Sequence, residues 1–252
     1  MEKRSIITTL VLGLAIIITA LILGKALKNR NAHGDTIQVI GLGTKDFLSD
    51  EMLWKGSFSA KSMDAKEAYG KVLSDKDKVK QFFIAKGFKE TEFSFGGIQI
   101  EKRFRTVQIE GANHEYRSES VFDGYEATQG IVFNRVKDEG LMKRIEEVAD
   151  QTAELINSGI EFSGQEIQYT YSDLASLKHN LIENATKDAR ERAEKIVKTG
   201  KGDLGKLKTA TMGVFQITGK GSVEEDTYGG ILDTKSKWKT ARITVRLTYV
   251  LD

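Results

Sequence analysis

The chain has 252 residues and a formal net charge of +2, a length for one large domain or two small ones and a charge too balanced for a nucleic-acid binder or an acidic tail protein. It contains no cysteine, which excludes disulfides, thiolate metal sites and a cysteine nucleophile. It also contains no proline, so its 24 glycines, with Asn, Asp and Ser, must supply the turns.

The first element runs uncharged from Ile6 to Leu23, with Lys3 and Arg4 before it and Lys25, Lys28 and Arg30 after it. At about 1.5 Å per residue it reaches roughly 27 Å, close to the hydrocarbon thickness of a bilayer. No A-x-A-like site follows, so residues 1–30 read as an uncleaved signal anchor that spans the membrane once. The flanking basic residues are nearly equal in number, so charge does not orient the helix. Residues 31–36 read as a tether, and 37–252 as the body.

In the body, Met52, Trp54, Gly56, Phe58 and Ala60 alternate with polar residues as a half-buried strand. A helix follows over 64–86, opened by Asp64 and Glu67 in a capping pattern, with Ala65, Tyr69, Val72, Val79 and Phe83 as its expected stripe and Gly87 as its stop. A second helix is expected over 138–158, carrying Leu141, Ile145, Val148, Thr152 and Leu155 and ending at Gly159. The stretch Lys86-Gly87-Phe88 is echoed by Ser158-Gly159-Ile160. Ile167, Tyr169 and Tyr171 form a short strand. The third helix, 173–199, places Leu174, Leu177, Leu181, Ala185, Ala189 and Ile196 on one stripe and stops at Gly200. The last strand sets Ala241, Ile243, Val245, Leu247, Tyr249 and Leu251 against Thr240, Arg242, Thr244, Arg246 and Thr248, one face buried and one wet. The class is α+β: an antiparallel or mixed sheet, or sheets, with about three amphipathic helices packed on them, preceded by the transmembrane helix.

Candidate chemistry is sparse. His33, His114 and His179 are isolated in sequence and make no metal-ligand spacing. Gly41-x-Gly43 lacks the helix N-terminus that a phosphate loop needs and reads as a closely packed strand end. Ser236-x-x-Lys239 begins a strand and Lys198-Thr199-Gly200 ends a helix, the wrong elements for a penicillin-binding site. Basic residues over 178–208 interleave with acids at i, i+4, as on a solvated helix face. No catalytic, cofactor or metal residue is assigned. The binding candidate is the glycine-punctuated loop 219–236, with Glu224, Glu225, Asp226 and Tyr228. It reads as a surface loop whose excision, joining Thr218 to Lys237, leaves the fold intact.

Three pieces resemble the SIMPL family: Val39-Ile40-Gly41-Leu42-Gly43; Gly124-Tyr125-Glu126-Ala127; and Asp188-Ala189 with Ala193, Ile196, Gly200 and Leu204-Gly205-Lys206-Leu207. Two departures stand out. Ser49-Asp50 replaces the family's Pro-Asp corner, and the stretch 101–123 is longer and more polar. The resemblance implies an α+β domain in the periplasm or otherwise outside the cytoplasm, ring-like homo-oligomers in some relatives, links to envelope or oxidative stress, and no established catalytic residues. The expected function is a membrane-anchored, non-catalytic interaction module of the inner membrane with its body facing the periplasm. It would bind a second copy or envelope proteins, but not nucleic acid. The rival readings are an envelope enzyme and a small-ligand sensor, each with a site formed only in three dimensions.

Overall fold

A computed structural model of the protein describes residues 13–25, 35–110, 116–222 and 229–251. Residues 13–25 form helix α1. Among the described residues no helix is long and apolar enough to cross a membrane, and residues 6–12 of the expected anchor lie outside them. The body runs β1 (Thr36–Leu48), β2 (Glu51–Ser62), α2 (Ala65–Ala85), β3 (Ser94–Glu110), β4 (Tyr116–Val136), α3 (Glu139–Gln151), α4 (Ala153–Asn157), β5 (Glu161–Gly164), β6 (Gln168–Thr170), α5 (Leu174–Thr199), β7 (Leu204–Met212), β8 (Gln216–Gly219) and β9 (Trp238–Leu251).

These strands make two antiparallel sheets, each with its own helical layer and core. Sheet A has the order β1-β9-β7, with β8 also on β9; sheet B has the order β3-β4-β2-β5, with β6 also on β2. The expected phases of β2 and β9 hold: Met52, Trp54, Phe58 and Ala60 are buried in sheet B, and Ala241, Ile243, Val245, Leu247 and Tyr249 in sheet A. The sheet B core joins them to α2, α3 and α4 through Val72, Phe83, Ile145 and Leu155. Among the described residues α5 is the helix that closes the sheet A core, through Leu177, Leu181, Ala185, Ala189 and Ala193.

The echo between the first two helix ends is a repeated cap. Gly87 and Gly159 have φ of 89° and 79°. The following amides, Phe88 and Ile160, donate back to the carbonyls of Phe83 and Leu155 at 3.0 and 3.1 Å, closing the last turn and burying an apolar residue beneath it. The third helix ends at Thr199 with Gly200 as its cap, as expected, but the left-handed residue is the next one along. Gly200 has an ordinary φ of −75°, and Lys201, at φ 62°, takes the left-handed place while Gly202 N–H donates to Val197 O at 3.0 Å.

Three details of the expected helices change. The helix over 138–158 is divided at Thr152 into α3 and α4. The buried stripe of α2 is Ala68, Val72, Asp75, Val79 and Phe83, so Tyr69 faces solvent and a carboxylate lies on the core side. The stripe of α5 passes through Ala193 and Val197, leaving Ile196 exposed. The true stripe advances in steps of three and four in α2 and in steps of four in α5, and each misplaced residue is the immediate neighbour of a stripe residue, about 100° round the helix from it.

Gly41 and Gly43 are where α5 meets the sheet. A Cβ on Gly41 would stand 2.0 Å from Ala185 O, and one on Gly43 2.2 Å from Leu181 O. The pair is therefore a contact point of helix on strand, as expected, and no anion loop. Between them, Leu42 N–H donates to an Asp188 carboxylate oxygen at 2.9 Å. That amide, then Arg192, holds the Asp188 carboxyl below its usual range. Asp188–Arg192 and Arg190–Glu194 are i, i+4 ion pairs that form on α5 among the described residues.

Candidate functional site

Where the two sheets meet, the corner at Ser49-Asp50 is held by hydrogen bonds. Ser49 N–H donates to Lys237 O at 3.0 Å, and the Asp50 carboxylate accepts from both Ser172 N–H and Ser172 Oγ, at 2.7 and 2.5 Å. Beside this corner, Glu146 of α3 gathers a clamp. One of its oxygens accepts from Tyr169 Oη at 2.7 Å and from Lys237 Nζ at 3.0 Å. Burial, with Glu146 beside it, pushes the Tyr169 hydroxyl well above the usual tyrosine range, so it remains a neutral donor rather than a base. The clamp thus fastens α3 to β6 and to the start of β9.

A cleft of about 420 Å³ opens next to the clamp, lined by Asp150, Thr152, Gln165, Glu166, Tyr169 and Lys235 among others. Trp54 forms part of its wall, with its indole N–H donating to Gln165 O at 3.0 Å. Glu166 is paired with Lys235 at 2.8 Å. The lining is chiefly hydrogen-bonding, with Asp150 contributing a further carboxylate. His179 is exposed on α5 and does not line the cleft, and His33 and His114 lie outside the described residues. Among the described residues no group of His, Asp and Glu could hold a metal ion.

Glu224, Glu225, Asp226 and Tyr228, the expected partner-binding residues, also lie outside the described residues. The described part of their loop is not a free surface segment, which corrects the expectation for 229–236. Ile217 N–H donates to Ile231 O at 2.7 Å, Asp233 N–H to Ile217 O at 2.9 Å, and Tyr169 N–H to Thr234 O at 2.7 Å. Beneath it Lys239 is almost fully buried, its ammonium donating to Asp233 O at 2.5 Å with the Asp233 carboxylate 3.8 Å away. Burial pulls the Lys239 pKa below the usual lysine range while Asp233 opposes the shift. A sequence signal for this existed: Lys239 stands in the same strand phase as Ala241 and Ile243.

Removal of 223–228 through a Gly-Gly link is therefore expected to leave the melting temperature unchanged. Joining Thr218 to Lys237 strips Lys239 of its acceptor and is expected to cost roughly 2 kcal/mol or more. Urea unfolding of the two deletions checks this, and equal stability would show that 229–236 is dispensable.

The described parts of the polar stretch 101–123 form a two-stranded arm. Beyond the Lys102–Tyr125 pair, β3 and β4 continue in register from Phe104–Phe122 to Glu110–Tyr116. The arm gives no residue beyond Tyr125 to either core. Phe104, Ile109 and Tyr116 are 59%, 42% and 67% exposed. At its root Arg103 pairs with Glu126 and Lys61 with Asp123.

Comparison with known families gives a match to SIMPL, Protein of unknown function (DUF541), over residues 37–246. No curated protein matches the chain.

Proposed function

The chain belongs to the SIMPL family, and from that premise we propose that it is a membrane-anchored cell-envelope protein whose body works by contact rather than by catalysis. The observation that carries this reading is the β3–β4 arm: two long strands projecting beyond the sheet B core with exposed aromatic and aliphatic side chains that stabilise neither core. Surface apolar groups of this kind on a paired two-stranded extension suit recognition. The anchor is supported by α1, where Leu14, Ile16, Leu21, Ile22 and Leu23 are all more than half exposed on a helix without a polar face. The periplasmic placement of the body rests on the family resemblance. A second reading, small-ligand binding, is favoured by the cleft beside Tyr169.

The test is an arm excision. Lys102 and Tyr125 are direct cross-strand partners, so an Asn-Gly turn can join them. The excised protein is expected to unfold within a few degrees of the parent and to lose assembly or capture of envelope components, read as mass in mild detergent. In the same preparation the parent is expected in the membrane fraction, its body digested by protease added to spheroplasts. An arm-less protein with unchanged mass and partners would transfer the function to another surface.

A further inference from the structure

The edges of the two sheets are treated unequally. On β1 the Leu42 amide is taken by Asp188 from α5. β7 is nine residues long and slips register twice against β9. The second side of β2 is occupied by β5 and β6. β3 is 17 residues long and ends sheet B with its outer side unpaired among the described residues. Past Ile98 it is regular to Glu110, because the one irregularity falls on the β4 side at Gly124, whose φ is 104°. Phe104, Thr106, Val107 and Ile109 all favour strands, and neither proline nor lysine interrupts 104–110. Such an edge is a template for another strand.

Building on the arm reading above, we propose that this edge pairs with β3 of a second copy, antiparallel across a two-fold axis through Thr106. Charge selects the register. With Thr106 opposite its counterpart, Lys102 falls opposite Glu110 twice, Phe104 opposite Gln108 and Arg105 opposite Val107, and no like charges face each other. An axis at Arg103 or Arg105 sets a guanidinium against itself. Among axes from Phe104 to Glu110, only the one at Thr106 opposes a cation to an anion within β3. Lys102 has no ion-pair partner among the described residues, so this pairing displaces nothing. The two five-stranded sheets would become one continuous sheet, an isologous contact that closes at two copies.

The absence of cysteine makes the test clean, since any introduced thiol is the sole one in the chain. Thr106→Cys in the full chain, in mild detergent under a mild oxidant, is expected to give a disulfide-linked dimer, because opposed strand positions bring Cβ atoms within bonding range. Ser118→Cys, one strand inward, is expected to remain monomeric. Lys102→Glu should abolish the Thr106→Cys cross-link and Lys102→Glu with Glu110→Lys restore it, with the melting curves of the Thr106→Cys and Lys102→Glu proteins unchanged because both residues are exposed. A monomeric Thr106→Cys protein, or equal cross-linking from Ser118→Cys, overturns the proposal. If arm excision then still removes capture of other envelope proteins, the arm reading stands and only the second copy falls. If excision changes nothing, both fall.

Discussion

Gly41→Val is expected to destabilise the protein by at least about 4 kcal/mol, near the upper end for a single substitution. The first added carbon would lie 2.0 Å from Ala185 O, 2.5 Å from Ala189 N and 2.7 Å from Ala189 Cβ. Two of these are backbone atoms of α5, so no rotamer change relieves the overlap and the helix must lift. Lifting it separates Leu181, Ala185 and Ala189 from Val39, Ile243 and Val245, and breaks the Leu42–Asp188 hydrogen bond. Gly70→Ala on α2 is the control, because a Cβ there meets nothing within 4 Å. Relieved of glycine's cost in a helix, that variant should gain roughly 0.5–1 kcal/mol. Urea unfolding of both, compared at equal slope, decides the matter. A Gly41→Val protein as stable as the parent would mean that α5 is not seated on β1.

Phe83→Ala is expected to cost about 3–5 kcal/mol. This side chain is fully buried, and its ring lies between 5.2 and 6.4 Å, centroid to centroid, from those of Trp54, Phe82, Phe88, Phe93, Phe133 and Phe162. Those rings come from α2, the turn after it, β2, β4 and β5, so one truncation opens a hole where five segments converge. Trp54 is buried and Trp238 is 54% exposed. A change in the blue-shifted part of the tryptophan emission therefore reports the cavity directly. Phe83→Leu, which keeps most of the volume, should lose less than half as much. Equal losses for Ala and Leu would point to a ring-specific contact rather than to packing.

Both residues were visible in the sequence, for different reasons. Phe83 lies on a helical stripe, and period alone finds it. Gly41 belongs to a motif shared with a family, and its physical role became plain only with α5 in place. Where periodicity failed, a residue of the wrong polarity occupied a buried position. Asp75, with its Lys78 partner at 3.1 Å, sits on the α2 stripe, and reading it as solvent-facing rotates the start of that helix onto Tyr69. Lys239 hid in β9 in the same way. The Glu146–Tyr169–Lys237 clamp had no sequence signal: its members come from a helix, a three-residue strand and a strand-leading turn, and no spacing rule links them. The arm was legible only as unusual length. Hydropathy cannot distinguish a polar loop from a hairpin whose two faces are both wet.

The pairing of β1 with β9, from Thr36–Val250 to Leu48–Trp238, ties almost the first residue of the body to almost the last. All the residues of the sheet B core lie between Met52 and Tyr169, so that half can collapse while the chain is still being made. Sheet A cannot. Its central strand is the final one to emerge, and closing so long a loop is the slow kind of contact to form. Until then β1 waits beside the N-terminal segment as a 13-residue strand without its β9 partner. The interval between the two events is when a neighbouring nascent chain could capture it, and a stop codon anywhere before Trp238 would make that interval permanent.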